Sequence, residues 1–546
     1  MKVTRRNFMK TVGVIGLAPL SGLTCNNVLA KSTRKPNILL LMADDMGYSD
    51  AECYGGEIRT PTLSTLANGG LRFTQHYSTG RCWPSRACIL TGYYAQQIRR
   101  DKMPGFNLGP RPAWAPLLPA LLKEHGYRSY HSGKWHIDGA PTEGGFDRSW
   151  GGEKRECDWD RYFHSGSWQE DGIRSPVKTE EPYYSTIAIA DHAIACLKLH
   201  QKNENDKPFF SYVAFYAPHF PLHALPKDID SYRDEYIKGW DVIRQRRWER
   251  MTKMGLINCA LSDRQTDVVP SWNLKPDQLK RRIGPAEAAK AVAWDTLTGE
   301  QKKFQATKMA IHAAMITRMD HEIGRIVSQL KEMNAYENTL ILFASDNGAS
   351  AEQIIRGDGH DPAAAMGSAK SYLCLGPGFS TAANTPFKLH KHWNHEGGIS
   401  SPLIVHWPEG IAARNELRHD PTHFIDFLLT ALEVASGSET VKNNIIDAPS
   451  RPGKSMVKTF AKDGSVTHNV LWWSHADNRA IRMGDWKLSA KDGRNGKWEL
   501  YNLKNDRCEM NDLAWQYPEK VKRMSQQWEK MTASFGKRLT AENNKS

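Results

Sequence analysis

The stretch KPNILLLMADDMG, residues 35–47, decides the fold of this 546-residue chain. Its apolar run from Ile38 to Ala43 is continuous, which is typical of a strand that is buried on both faces of a sheet. The run begins after a proline and ends at two aspartates, Asp44 and Asp45. It therefore predicts a central strand with two carboxylates at its carboxyl end.

Three further apolar runs have the same character, at residues 209–215, 339–344 and 402–406. Helical patterns lie between the runs, at residues 117–125 and 309–330. Strands that alternate with helices form a mainly parallel sheet, and ligands of such sheets bind beyond the carboxyl ends of the strands. We therefore expect an α/β protein in which a large, mainly parallel sheet is sandwiched by helices.

Two segments depart from this alternation. Residues 226–304 are charged and contain several tryptophans and a cluster of arginines, at positions 244, 246, 247 and 250. They predict a helical insertion that either covers the active-site face or forms a solvated surface. After about residue 450 the pattern changes to short strands and a helix, at residues 469–474, 479–489, 497–503 and 518–535. We predict a main domain at 31–450 and a smaller C-terminal α+β subdomain, an antiparallel sheet plus a helix, at 451–546.

The first thirty residues carry an export pattern. The sequence TRRNFMK at residues 4–10 precedes an apolar run from Val12 to Leu20 and the small-residue sequence VLA at 28–30. These features are typical of a twin-arginine signal peptide, so we predict a signal peptide at 1–30 and a periplasmic or secreted protein. Cys25 follows a poor lipoprotein sequence, which makes a lipid anchor the lesser alternative. No apolar stretch is long enough for an integral membrane protein.

Oxygen-rich side chains follow two of the predicted strands. Asp44 and Asp45 end the first strand, and Asp346 and Asn347 follow the run at 339–344. Because the carboxyl ends of parallel strands meet at one edge of a sheet, these side chains should cluster. Three carboxylates and an amide oxygen suit Ca²⁺ better than zinc. Either dipeptide by itself fits a plain acidic turn better, so the metal interpretation depends on the remaining motifs.

The sequence CWPSRACILTG at residues 82–92 contains Cys-x-Pro-Ser-Arg followed by Thr-Gly. It resembles the signature of the formylglycine-dependent, type I sulfatases of the alkaline phosphatase superfamily. A cysteine in isolation would be interpreted as a buried structural residue. The resemblance implies instead that Cys82 is oxidised to 3-oxoalanine (formylglycine), whose hydrate attacks a sulfate ester. It also implies a partner, either a formylglycine-generating enzyme or an anaerobic sulfatase-maturating enzyme.

Further blocks resemble the family's motifs and follow in the family's order. They are GKWH at 133–136, APHFP at 217–221, Asp346 with Asn347, and Lys391 five residues before EGG at 396–398. An isolated lysine or histidine is usually a solvated charge or a structural residue. The shared order from Pro36 to Trp407 extends the resemblance over most of the chain.

The resemblance implies a role for each of these residues. Asp44, Asp45, Asp346, Asn347 and the modified Cys82 would hold a calcium or magnesium ion. Lys134 and Lys391 would hold the sulfate oxygens, and Arg86, on a helix that starts near Ser85, would hold the formylglycine. His219 would be the general acid at the ester oxygen. His136 would take a proton from the second hydroxyl of the hydrate, so that sulfate leaves without attack by water.

We therefore predict a sulfuric ester hydrolase that removes sulfate from a sulfated carbohydrate, with arylsulfatase activity as a further expectation. The formal net charge is +13, and +9 remains without the signal peptide, which suits a polyanionic glycan. No nucleic-acid-binding module is recognisable, so no nucleic-acid partner is expected. Nine scattered cysteines form neither a disulfide scaffold nor a zinc site. Residues 357–369 and 376–384 are loop-like, and each either forms a rim of the substrate site or is plain surface loop.

Two alternatives remain. A phosphomonoester or phosphonate hydrolase of the same superfamily would share the sheet and some ligands, but a Ser or Thr nucleophile with two zinc ions is not visible in the sequence. A non-catalytic protein that binds sulfated glycans would result if Cys82 were not matured.

Overall fold

The computed structural model describes residues 34–103, 105–152, 162–163, 168–174, 183–357, 359–438, 448–491 and 496–543. The predicted signal peptide at 1–30 lies outside the described residues, as does Cys25. None of the described helices is both long and apolar enough to cross a membrane.

A large sheet of eleven strands forms the centre of the described chain. Its strands are β1 (Asn37–Asp44), β2 (Leu71–Tyr77), β3 (Arg128–Gly133), β4 (Arg148–Gly152), β5 (Trp168–Glu170), β6 (Ile173–Arg174), β7 (Phe209–Pro218), β8 (Thr339–Ser345), β9 (Ser400–His406), β10 (Glu416–Arg418) and β11 (Thr422–His423). Their order is β10-β2-β9-β8-β1-β7-β3-β4-β5-β6, and β11 pairs with β2.

The central strand is β1, as its apolar run predicts. It pairs in parallel with β7 on one side and with β8 on the other, and Ala43 lies opposite Ser345. This register places the aspartates that end β1 beside those that follow β8. The strand β9, predicted from residues 402–406, is antiparallel to both β2 and β8. An apolar run indicates burial and carries no information on strand direction.

Helices cover both faces of the sheet, as expected for this fold class. They are α1 (Pro61–Asn68), α2 (Cys82–Thr91), α3 (Leu118–Lys123), α4 (Ser185–Asn203), α5 (Pro226–Asp230), α6 (Trp240–Lys253), α7 (Pro276–Arg282), α8 (Gly299–Glu332), α9 (Gly376–Ala383), α10 (Glu396–Ile399), α11 (Phe427–Ser436), α12 (Val457–Ala461) and α13 (Pro518–Asn543). Alternate residues of β1 belong to two different hydrophobic clusters. Leu39 and Leu41 belong to the cluster that contains α8. Ile38 and Leu40 belong to the cluster that contains α2 and α11.

A small antiparallel sheet follows the main sheet near the C-terminus. Its strands are β12 (Leu471–His475), β13 (Asn478–Met483), β14 (Trp486–Ala490) and β15 (Glu499–Asn502). The single strand predicted at 479–489 is wrong, because the chain turns at Gly484, with φ 60°, and returns as β14. Trp472 of β12 and Trp528 of α13 belong to the same core as α2. The boundary near residue 450 stays a prediction.

The inserted segment contains the helices α5, α6 and α7, and α8 begins before its predicted end. Two of its clustered arginines are not surface charges. The buried Arg247 donates to Asp50 Oδ1 at 2.7 Å and to Glu57 Oε1 at 2.6 Å, and the buried Arg244 binds the carbonyl of Ser262. Arg247 therefore links the inserted segment to the residues that follow β1, whereas Arg244 holds together two parts of the insertion itself.

One loop predicted beside the substrate site is a buried helix. The loop prediction for residues 376–384 is wrong, because Gly376–Ala383 forms α9. A Cβ atom at Gly378 would lie 2.4 Å from the ring of Trp240, so this glycine permits close packing against α6. Residues 357–369 contain no helix or strand among those that the structure describes.

Candidate active site

All the residues predicted for the site converge at one edge of the large sheet. Asp44 and Asp45 lie at the end of β1, Asp346 and Asn347 after β8, and His219 after β7. Lys134 and His136 follow β3, and Lys391 lies in the loop before α10. Cys82 is the first residue of α2, which begins earlier than the predicted start near Ser85.

The acidic residues form a compact set of ligand atoms. In two groups, Asp44 with Asp45 and His219, and Asp44 with Cys82 and Asp346, the ligand atoms all lie within 4.8 Å of one another. The Oδ1 atoms of Asp44 and Asn347 are buried and have no hydrogen-bond partner among the described residues. Buried oxygens without donors fit a hard cation, because Ca²⁺ and Mg²⁺ bind carboxylate and amide oxygens.

Arg86 holds Asp346 by two hydrogen bonds. Its Nε and Nη2 atoms donate to Asp346 Oδ2 at 3.0 and 2.8 Å, and its Nη1 donates to the Lys134 carbonyl at 3.1 Å and the Tyr212 hydroxyl at 3.3 Å. Burial, followed by repulsion from Asp44, nevertheless raises the pKa of Asp346 to about 7, because Arg86 offsets these effects only in part. Arg86 therefore positions a proposed metal ligand, and its predicted contact with formylglycine stays a prediction.

Two buried lysines lie on either side of the carboxylates. Lys134 Nζ donates to Asp44 Oδ2, and Lys391 Nζ lies 2.7 Å from Asp45. Burial alone would lower the pKa of Lys391, but the carboxylates of Asp45 and Glu352 raise it above its usual value. Lys391 is consequently a fixed positive charge at neutral pH.

His219 is oriented by the backbone. Its Nδ1 lies 2.6 Å from the carbonyl oxygen of Phe220, and because a carbonyl only accepts, Nδ1 carries a proton. Its Nε2 therefore faces the site, 3.6 Å from Asp45 Oδ2. His136 has a φ of 56°, and its ring centroid lies 5.7 Å from that of Trp83.

Cys82 is 3% exposed. Burial raises the pKa of its thiol, although Lys134 and Lys391 counteract part of this effect. A protonated thiol is a weak nucleophile, because the thiolate is the reactive species. The unmodified Cys82 is therefore a weakly reactive thiol beside the carboxylate cluster.

Several site residues were not found from the sequence. Glu352 accepts from Trp272 Nε1 at 2.8 Å and lies 3.5 Å from Lys391 Nζ, and Arg81 lies beside it. Tyr212 supports Arg86 from β7. These residues belong to no motif, and only the folded chain brings them together.

The Glu-Gly-Gly block has a structural function. The buried Glu396 accepts from Lys487 at 2.8 Å and from Arg507 at 3.1 Å, and both donors belong to the C-terminal region. Its backbone N–H donates to Glu509 at 2.8 Å. This network attaches the loop that carries Lys391 to the small sheet.

The fold and this site define an α/β protein in which a cysteine-bearing helix begins beside a buried carboxylate cluster. The sequence matches the family model Sulfatase over residues 36–438. The chain therefore belongs to the sulfatase family and is an enzyme that hydrolyses sulfate esters.

Curated relatives cover most of the chain. It is 30% identical to an uncharacterized sulfatase of Schizosaccharomyces pombe, over 91% of this chain and 93% of the relative. It is 29% identical to an arylsulfatase of Klebsiella aerogenes, over 77% of this chain and 90% of that relative. It is 25% identical to an N-acetylglucosamine-6-O-sulfatase of Bacteroides thetaiotaomicron, over 94% and 89%.

Solved structures share the fold. One, a complex of a protein with its substrate D-glucosamine-2-N,6-O-disulfate, has a TM-score of 0.62 and is 20% identical, covering 92% of this chain and 99% of that chain. Another, a complex with a neocarrahexaose, has a TM-score of 0.62 and is 23% identical, covering 91% and 93%.

Proposed function

We propose that this sulfatase removes sulfate from a sulfated carbohydrate, using formylglycine formed from Cys82 and a bound calcium ion, with magnesium as the alternative ion. The observation that carries the proposal is the position of Cys82, whose Sγ lies within 4.8 Å of ligand atoms of Asp44 and Asp346. Because burial keeps the unmodified thiol protonated, a modified side chain is the more effective nucleophile here.

The oxygen atoms of Asp44, Asp45, Asp346 and Asn347 would hold the cation together with the modified residue 82. When bound, the cation would supply positive charge beside a sulfate oxygen, and formylglycine would supply a hydrate hydroxyl for attack on sulfur. Arg86 keeps Asp346 in position from the far side of the cluster.

The remaining steps belong to residues of the chain. Lys134 and Lys391 point into the same cluster from different loops, so two ammonium groups would hold the negative oxygens of the sulfate in the ground state and the transition state. His219, with its Nδ1 proton held by the Phe220 carbonyl, would donate a proton from Nε2 to the departing sugar oxygen. His136 would accept the proton of the second hydroxyl.

A carbohydrate substrate is supported by the relatives' names and by charge. The chain resembles the Bacteroides thetaiotaomicron N-acetylglucosamine-6-O-sulfatase over nearly its whole length. The expected mature chain retains a net charge of +9, which attracts polyanionic glycans. The burial of Arg244 and Arg247 means that the arginine cluster contributes less to this attraction than its sequence indicates.

Maturation and export are part of the proposal. A maturation enzyme, of either the formylglycine-generating or the anaerobic type, would have to reach Cys82 before folding buries it. The twin-arginine pattern fits this order, because that route exports folded proteins to the periplasm or beyond.

One experiment tests the nucleophile. Mass analysis of the peptide that contains residue 82 should find 3-oxoalanine in the active protein, and Cys82→Ala should release no sulfate from sulfated saccharides. Cys88→Ala is the matched control, since this second cysteine of α2 is buried but belongs to no ligand group in the described residues. Full activity in a protein whose Cys82 is entirely a thiol would disprove the mechanism.

A further inference from the structure

A pocket of about 360 Å³ adjoins the candidate active site. Its lining includes Arg81 and Trp83, the two neighbours of Cys82 in the chain, and Glu352, whose carboxylate lies 3.5 Å from Lys391 Nζ. The group that is attached to a sulfate at Cys82 would therefore enter this pocket. Its volume is at the lower end of the range for small-molecule sites, which fits a single ring with its substituents.

Aromatic side chains form two walls of the pocket. The guanidinium carbon of Arg81 lies 5.3 Å from the ring centroid of Trp83 and 5.6 Å from that of Trp272. Trp272 belongs to the inserted segment, is 40% exposed and donates from Nε1 to Glu352 at 2.8 Å. The insertion therefore reaches the active-site face, and its tryptophan is held in place there.

The carboxylates that line the pocket are already occupied by neighbouring groups. Asp101 accepts from Gln96 Nε2 at 3.1 Å and lies 2.8 Å from His475 Nδ1. Glu352 accepts from Trp272 and also from Ser350 Oγ at 3.1 Å. Neither carboxylate is therefore a free negative charge facing a ligand.

The guanidinium of Arg81 has fewer hydrogen-bond partners than these two carboxylates. Its Nη2 makes one long contact of 3.4 Å to Glu352, while its buried Nε and Nη1 have no hydrogen-bond acceptor among the described residues. Buried donors without acceptors are rare in folded proteins and require an explanation. Lys102 and Arg356 also line the pocket, so cations outnumber carboxylates there.

We propose that this pocket selects sulfate esters whose ring carries a second acidic group, with Arg81 binding that group and Trp83 and Trp272 holding the ring. The proposal rests on the proposed function, because it assigns the leaving group of the same reaction. Lys134 and Lys391 would hold the sulfate that is removed, so the Nε and Nη1 donors of Arg81 remain for another anion.

The first test compares phenyl sulfate with 3-carboxyphenyl sulfate, whose leaving groups have similar acidity. For the unaltered enzyme, KM should be about tenfold lower for the carboxylated substrate, as expected for one charge-assisted hydrogen bond. Arg81→Gln should reduce this preference to about twofold or less, whereas Arg246→Gln, at an exposed arginine, should preserve it. The formylglycine content of each variant is measured by mass, because Arg81 precedes Cys82. An equal loss of affinity for both substrates in Arg81→Gln would mean that Arg81 binds the departing sulfate, and would overturn the proposal.

The second test concerns the aromatic wall. Trp272→Ala should raise KM for both substrates by about three- to tenfold, while Trp272→Phe, which keeps a ring but loses the donor to Glu352, should stay within about twofold. Trp515→Ala is the control, because Trp515 is 79% exposed. If the Phe variant is as impaired as the Ala variant, Trp272 acts only through Glu352 and the wall assignment is wrong.

A third measurement separates this proposal from the proposed function. Calorimetric titration of Cys82→Ala with the products 3-hydroxybenzoate and phenol requires no hydrolysis. The pocket assignment predicts that 3-hydroxybenzoate binds at least about tenfold more tightly than phenol. The double variant with Arg81→Gln should lose this preference. Both results would support the pocket even if no sulfate is ever released. Equal binding of the two products would overturn the pocket assignment even in an active sulfatase.

Discussion

His219→Ala separates proton donation from sulfate binding. The imidazole is fixed by the 2.6 Å contact between Nδ1 and the Phe220 carbonyl, and its Nε2 lies 3.6 Å from Asp45 Oδ2. Because Nδ1 already carries a proton, His219 acts as an acid only when Nε2 carries a second one. Alanine removes the proton donor and leaves Lys134 and Lys391 in place.

The size of the effect should depend on the leaving group. A positioned general acid contributes about 10²–10⁴ in rate, so kcat/KM on a sugar sulfate should fall by about 10³, or about 4 kcal/mol. On 4-nitrophenyl sulfate the loss should be less than about tenfold, because a nitrophenolate departs without protonation. Lys391→Ala should instead lower kcat/KM on both substrates by a similar factor of about 10²–10³, since both share the sulfate charge.

The assay measures initial rates of sulfate release by both variants from both substrates, normalised to formylglycine content. Circular dichroism confirms that each variant is folded. If His219→Ala loses the same factor on both substrates, His219 binds sulfate or holds structure, and the general acid must be another residue.

Three further predictions follow from the site and the fold. Removal of the metal by a chelator should lower both the activity and the melting temperature. Ca²⁺ should restore both better than Zn²⁺, because the proposed ligands are mainly oxygen atoms. Preferential restoration by zinc would favour the phosphatase alternative. Arg247→Met should lower the free energy of unfolding by about 3 kcal/mol, since it removes the buried guanidinium that joins Asp50 to Glu57 and leaves them only His312 and Arg250, respectively. Arg246→Met should change it by about 0.5 kcal/mol or less in the same denaturant titration, and equal effects would contradict this anchoring role. Replacement of both Arg5 and Arg6 by lysine should keep the protein in the cytoplasm, and cell fractionation that finds it exported as before would rule out the twin-arginine route.

The sequence predicted the central part of the fold well, because burial leaves a direct pattern in strands. The continuous run from Ile38 to Ala43 forms β1 between two parallel neighbours, and ligand atoms of Asp44 and Asp346 lie within 4.8 Å of each other as expected. The antiparallel direction of β9 was not predicted, because an apolar run is the same for a parallel and an antiparallel strand. The hairpin at Gly484 was also not predicted, because the apolar content of residues 479–489 fits one strand as well as two. The loop prediction at 376–384 failed because glycine occurs both in loops and where helices pack closely, as Gly378 does against Trp240.

Residues of the candidate site could be predicted only where they lie in contiguous sequence motifs. Cys82, Lys134 and His219 each lie in a recognisable block. Glu352 and Trp272 lie in none, and they join the site through tertiary contacts between the insertion and the loop after β8.

The attachment of Glu396 to Lys487 and Arg507 has a consequence for the timing of synthesis. The loop that carries Lys391 gains its buried partners only when the last part of the chain has left the ribosome. At roughly 5–20 residues per second, translation from Cys82 to Arg507 lasts roughly 20–90 s. During that interval the network that completes the site is absent. A maturation enzyme would thus have tens of seconds to act on Cys82, and slower translation of the C-terminal region would lengthen that window without any change in sequence.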